Sequence, residues 1–210
     1  RRGALPMTIK IGVLLSGNGT NLQAIIDRVA AGSLDAQITL VVSSRPSAYG
    51  LKRAEAANLQ TLTLSQEIYA DPFVADEVIA TELVRHDVDY VVMAGYMRMV
   101  HMPILAEFPN RVINIHPALL PSFPGAHAIQ DAYERGVKVT GVTIHLANEN
   151  YDAGPIIAQQ AISVKEGWSA EELEEHIHRV EHTLYPDTLQ LFAESRVKVE
   201  SDGRVTIKQR

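Results

Sequence analysis

Over its first 115 residues the chain alternates short apolar, β-branched runs with stretches of helical spacing, and turn-forming residues separate them. Residues 9–15, 38–43, 61–64, 90–94 and 111–115 read as strands. Residues 22–31, 48–57, 73–86 and 102–108 read as the helices between them. Strands that follow one another through a helix lie parallel in one sheet, because the crossover returns the chain to the same edge. The expectation is an α/β fold: an open, mostly parallel twisted sheet with helices on both faces, Rossmann-like. Beyond Gly136 the pattern changes to mixed strands. Residues 139–146 and 156–164 read as longer strands joined by a turn-rich stretch, and 170–194 as a long helix broken or bent at Pro186. Residues 197–208, with Ser201-Asp202-Gly203 in the middle, read as a hairpin. No element is assigned between 116 and 138.

A chain of 210 residues has enough length for one buried core, so residues 8–210 are expected to form a single domain. Residues 1–7 read as a disordered leader or an expression remnant, since Lys10 interrupts any apolar signal region. A formal net charge of −6 argues against a nucleic-acid partner. There is no cysteine, which excludes thiol nucleophiles, disulfides and thiolate–metal sites. No apolar run approaches the roughly 20 residues that span a bilayer, so no membrane partner and a cytoplasmic location are expected. Homodimerisation is left open.

Ser16-Gly17-Asn18-Gly19-Thr20-Asn21 joins the first strand to the first helix. Glycines allow close backbone approach, and a helix N-terminus offers unpaired N–H groups and the positive end of the dipole. The spacing is neither Gly-x-Gly-x-x-Gly nor a Walker loop, which disfavours dinucleotides and nucleoside triphosphates. A monophosphate site built on Gly19, Thr20 and Asn21 competes with a ligand-free turn in which Thr20 or Asn21 merely caps the helix.

Asn114 and His116 alternate onto one side of the fifth strand, and Pro117, Pro121 and Pro124 stiffen the loop that follows. An amide donor beside an imidazole suits chemistry at a carbonyl, the amide polarising the oxygen and the imidazole moving the proton. Asp152 lies in a Gly/Pro-bounded loop, with Thr143 and His145 alternating on the strand before it. A carboxylate near His116 would favour its protonated form; equally, Asp152 could serve only its own turn. Met97, Arg98, Met99 and Val100 follow the fourth strand, at the carboxyl end where open α/β sheets bind ligands. Such a segment can receive a flat heterocycle through backbone groups, although taken by itself it reads as a hydrophobic connection into the 102–108 helix. His86 and His101 read as surface residues. His176, His178 and His182 mimic a metal cluster but lack a third ligand from elsewhere, so a solvated helix face is expected, and no metal.

Together these stretches resemble the glycinamide ribonucleotide formyltransferase family, folate-dependent enzymes of purine synthesis. The resemblance runs over residues 8–195. It rests on Ser16-Gly17-Asn18-Gly19-Thr20-Asn21-Leu22, Ala94-Gly95-Tyr96-Met97-Arg98, Asn114-Ile115-His116-Pro117, Asp152-Ala153-Gly154-Pro155, and Glu181-His182 with Tyr185-Pro186. It implies a ribonucleotide phosphate at Gly19, Thr20 and Asn21 in the N-terminal half, and a substrate amine at Glu181. It implies folate at Met97 to Val100 and Asn114, with catalysis by Asn114, His116 and Asp152. The co-substrate would be 10-formyltetrahydrofolate and the acceptor glycinamide ribonucleotide. One departure is the folate tail: no Lys or Arg occurs from 54 to 84, and Asp71 stands where a basic residue can be expected. His178 similarly takes a phosphate-side position. A formyltetrahydrofolate hydrolase and a non-catalytic folate or nucleotide sensor are the alternatives. The first would release formate to water, and the second would have no need of Asn114, His116 and Asp152.

Overall fold

The computed structural model describes residues 7–209; most of the expected leader, residues 1–6, lies outside them. The elements run β1 (Ile9–Leu15), α1 (Thr20–Ala30), β2 (Ala36–Ser43), α2 (Tyr49–Ala56), β3 (Thr61–Thr63), α3 (Gln66–Tyr69), α4 (Pro72–Arg85), β4 (Tyr90–Met93), α5 (Met102–Glu107), β5 (Val112–His116) and α6 (Ala128–Arg135). Then follow β6 (Val139–Leu146), β7 (Ile156–Ser163), α7 (Ala170–Ala193), β8 (Val197–Val199) and β9 (Val205–Ile207). Seven strands form one sheet in the order β3-β2-β1-β4-β5-β6-β7, and β8 and β9 form a separate hairpin. Strand pairing is parallel as far as β5 and antiparallel through β6 and β7. The expected fold class holds.

Alternation along the strands divides the core in two. Ile11, Val13, Val92, Ile113, Ile115, Val142 and Ile144 pack on one face with Leu22 and Ile25 of α1 and Leu173, Ile177 and Leu189 of α7. Leu14, Val42, Val91, Met93 and Val112 pack on the other, with Ile79 and Leu83 of α4 and Ile104 of α5. Because Ile113 and Ile115 face α7, Asn114 and His116 project to the opposite side. The strand order reverses beside β1, between β1–β2 and β1–β4. That reversal opens a crevice at the carboxyl ends of the parallel strands.

Three expectations need correction. Helices α3 and α6 are present where no element was assigned; each is short, and the αL glycine Gly136 (φ 70°) that ends α6 was its one stop signal. Helix α7 runs unbroken through Pro186. A proline removes one backbone bond, to the carbonyl four residues earlier. Burial of Leu173, Ile177, Tyr185, Leu189 and Phe192 on both sides of it outweighs that loss. Ser169 and Glu172 start the helix with a capping box.

Tyr185 also stitches the sheet from below. Its fully buried hydroxyl lies 2.7 Å from the Met93 carbonyl oxygen and 3.1 Å from that of Ile113, sharing one proton between β4 and β5. Tyr185→Phe leaves both carbonyls without this donor. We expect a loss of about 1–3 kcal/mol in urea unfolding; an unchanged midpoint would show that the bond contributes nothing net.

Candidate active site

The turn from β1 into α1 supplies one wall of the crevice. The N-cap of α1 is Gly19, in the left-handed region (φ 77°), and no side chain caps the first turn. Thr20 and Asn21 are therefore not capping residues, and the capped-turn reading is corrected. The first amides of an 11-residue helix point, without a side-chain acceptor, into a cavity of about 520 Å³. Gly19 is required by packing as well as by its φ: a Cβ there would meet the Gly50 Cα of α2 at 2.6 Å. Asn21 is buried, and its Oδ1 has no partner among the described residues.

Across the cavity stand Glu174, His178 and Glu181 of α7. Glu181 is buried and accepts from Asn21 Nδ2 at 3.3 Å. Burial pushes its carboxyl up to about 7; the bond from Asn21 opposes this and Glu174 adds to it. His178 and His182 are half-buried rather than solvated, with ring centroids 6.2 Å apart. Burial holds the His182 imidazole below the ordinary histidine range, and His178 and Arg53 push the same way. No group of three metal-ligating side chains exists among the described residues.

Antiparallel pairing of β5 with β6 sets Asn114 opposite His145 and His116 opposite Thr143. His145 Nδ1 lies 3.0 Å from the Leu146 carbonyl oxygen and must donate to it, so the neutral ring accepts from Asn114 Nδ2 through Nε2, at 3.2 Å. Burial lowers the proton affinity of His145, outweighing the Leu146 carbonyl and Asp152, which both raise it. The bond aims the NH₂ end of Asn114 and leaves its second N–H for a ligand.

Asp152, in the left-handed region (φ 52°), reaches across to this cluster. Its side chain is 1% exposed; Oδ2 accepts from Gly125 N at 2.8 Å and lies 3.5 Å from His116 Nδ1, and Oδ1 lies 3.8 Å from His145 Nε2. It does not serve its own turn. His116 Nε2 donates to the Phe123 carbonyl oxygen at 2.7 Å, so both nitrogens of this buried ring face acceptors. The proline loop is itself pinned: Thr143 Oγ1 donates to Ala118 O and accepts from Leu120 N and Gln159 Nε2.

The segment after β4 divides between two spaces. Met97 lines the large cavity, and its N–H is taken by Ser16 Oγ at 2.8 Å. Arg98, Met99 and Val100 line an adjoining narrow cleft with Asn114, His145, Tyr151 and Asp152. Asn114, Tyr151 and Asp152 border both spaces. The Arg98 guanidinium sits 4.0 Å over the Tyr69 ring, beside a further cavity of about 250 Å³ lined by Pro72, Asp76 and His101. His101 is not a free surface residue: its backbone N–H and Nδ1 lie 2.6 and 3.0 Å from Oδ2 of buried Asp76, anchoring the segment to α4. Asp71 caps α4, accepting from Phe73 N and Val74 N.

Residues 9–189 match the family described as Formyl transferase. The chain belongs to that family. It is 39% identical to the phosphoribosylglycinamide formyltransferase of Bacillus subtilis (strain 168), over 86% of this chain and 92% of that protein. The solved structure of glycinamide ribonucleotide transformylase 1 from Symbiobacterium toebii superposes with a TM-score of 0.92 at 46% identity, covering 96% of this chain and 95% of that one. The trifunctional purine biosynthetic protein adenosine-3 of Bos taurus is 38% identical over 95% of this chain, which spans only 20% of that protein. The resemblance carried by the Asn114-Ile115-His116-Pro117 and Ser16-to-Leu22 stretches is borne out at the level of the family.

Sequence reasoning brought Asn114, His116 and Asp152 together correctly in space. It missed Phe123, whose contribution is a backbone carbonyl, and Asp76 and Gln159, which carry no motif. His145 and Thr143 had one signal, their alternation on β6.

The buried Glu181 makes stability pH-dependent. Its proton affinity is raised on folding, so the neutral form's contribution is complete below the unfolded value of 4.5 and is lost as pH rises through about 7. Relative to wild type, Glu181→Gln should gain stability on the order of 3 kcal/mol between pH 4.5 and 8, and no more above that. Chemical unfolding of both proteins across this range checks it; parallel curves would refute it.

Proposed function

We propose that this chain transfers the formyl group of 10-formyltetrahydrofolate to the amine of glycinamide ribonucleotide. The products are formylglycinamide ribonucleotide and tetrahydrofolate, in de novo purine (IMP) biosynthesis. One observation carries the reading: Asn114 and Asp152 border both the cavity that ends at the uncapped α1 terminus and the cleft beside Arg98, Met99 and Val100. A group passing from a ligand in one space to a ligand in the other crosses where Asn114, Tyr151 and Asp152 border both.

In this reading the ribonucleotide phosphate takes the amides at Gly19, Thr20 and Asn21, and Glu181 holds the amine. A carboxyl balanced near neutrality can accept the proton that an ammonium must lose before it attacks. The pterin meets the 97–100 segment, with Val100 and Met99 as apolar wall and Arg98 facing the acidic tail.

The amine nitrogen attacks the formyl carbon, and its carbonyl oxygen becomes an oxyanion. The free N–H of Asn114 and the Nε2–H of His116 donate to that oxygen, which competes for the bond now made to Phe123. Asp152 orients this ring through Nδ1. Collapse breaks the bond between the formyl carbon and the folate nitrogen as His116 gives that nitrogen its Nε2 proton, and the proton released by the attacking amine then replaces it on Nε2. No covalent enzyme intermediate is needed.

Formyl transfer from 10-formyltetrahydrofolate to glycinamide ribonucleotide, measured beside a reaction without acceptor, tests this. Acceptor-dependent tetrahydrofolate release is expected. Release independent of acceptor would identify a hydrolase, and binding without turnover a sensor. Asn114→Ala should lower kcat by about 10²–10³, the scale of one lost oxyanion donor; activity within a few-fold of wild type would remove Asn114 from the mechanism.

A further inference from the structure

Behind the α1 turn, away from the cavity, a single cation holds the loop in shape. The Arg53 guanidinium of α2 donates through Nε to the Asn18 carbonyl oxygen at 2.8 Å and through Nη2 to Asn18 Oδ1 at 2.7 Å. Nη1 reaches Gln23 Oε1 of α1 at 3.4 Å, and the guanidinium lies 5.0 Å from the Tyr49 ring centroid. Next to it, Gly50 N donates to the Gly17 carbonyl oxygen at 3.0 Å, and a Cβ on Gly19 would meet the Gly50 Cα while one on Gly50 would meet the Leu15 side chain. Asn18 lines the cavity, whereas Arg53 does not. Gly17, Asn18 and Gly19 are thus all held against α2, through Gly50 and Arg53.

We infer that Arg53 is a positioning residue for the acceptor's phosphate: its fork locks Asn18, between the Gly50 contacts to Gly17 and Gly19, so that the α1 amides converge before the ligand arrives. The inference rests on the phosphate reading of that turn, where the first α1 amides have no side-chain cap and Gly17 to Asn21 line the cavity. A loop of two glycines gains entropy when free, so preorganisation is where binding affinity would be lost. Arg53 acts by geometry and not by charge alone. Two of its donors grip one residue's backbone and side chain together, and a lysine ammonium cannot reproduce that planar fork.

The test compares wild type with Arg53→Lys and Arg53→Met in steady-state kinetics, with ribose 5-phosphate binding by calorimetry and thermal melting alongside. Both variants are expected to raise KM for the ribonucleotide about tenfold and weaken ribose 5-phosphate by a similar factor. The folate KM and kcat should stay within about twofold. A wild-type-like Arg53→Lys would overturn the positioning role in favour of simple charge. A joint fall in kcat and both affinities, tracking a lowered melting midpoint, would reduce Arg53 to a stability residue. If wild type itself does not bind ribose 5-phosphate, the phosphate reading fails and takes this inference with it. Equal binding by all three proteins overturns the Arg53 assignment alone.

Discussion

A buried carboxylate holds the centre of this molecule together. Asp152 has almost no exposed surface, and a charge removed from water must find compensating partners or be lost. Its partners come from two separate places: the Gly125 amide in the proline loop and His116 at the end of β5. Meeting that requirement draws two loops onto one end of the sheet. The strained φ of Asp152 is sustained by the same contacts. The geometry around Asn114 follows, because His145, held neutral by burial, accepts from the amide and fixes which end faces the crevice.

The remainder of the site is arranged by strand direction. Parallel pairing from β3 to β5 gathers the β1, β4 and β5 carboxyl ends, so the α1 turn, the 97–100 segment and His116 open into one crevice. The reversal at β6 then brings a fourth polar strand alongside without a crossover helix. Tyr185 and the Asp76–His101 contacts brace this assembly from opposite faces, one beneath β4 and β5 and the other behind the 97–100 segment.

The two sides of the crevice differ electrostatically. One offers helix amides, with Arg53 behind the loop and imidazoles across from it. The other offers one guanidinium stacked on an aromatic ring. A net charge of −6 thus coexists with a positive potential that is local to the crevice and largely backbone-derived. Glu174, Glu181 and Asp152 are the acidic groups on the larger cavity, and burial keeps the charge of Glu181 conditional.

Periodicity and turn chemistry alone determined the order and type of the long elements, because apolar spacing reports which face of a strand or helix is buried. They also determined that Asn114 and His116 share a side. What escaped them was short or depended on contacts distant in the chain. Helix α6 has too few turns for a clear period, and Pro186 is tolerated only because the packing of α7 outweighs one missing bond. Whether Thr20 capped α1 or left its amides for a ligand was undecidable from residue types, since either use is open to the same hydroxyl; Gly19's dihedrals and its contact with Gly50 decided it. Likewise Asp152 could have satisfied its own turn, and Arg53 carries no motif. Tertiary structure alone settled these points, because a side chain's role depends on which distant donor or acceptor the fold brings within about 3 Å of it.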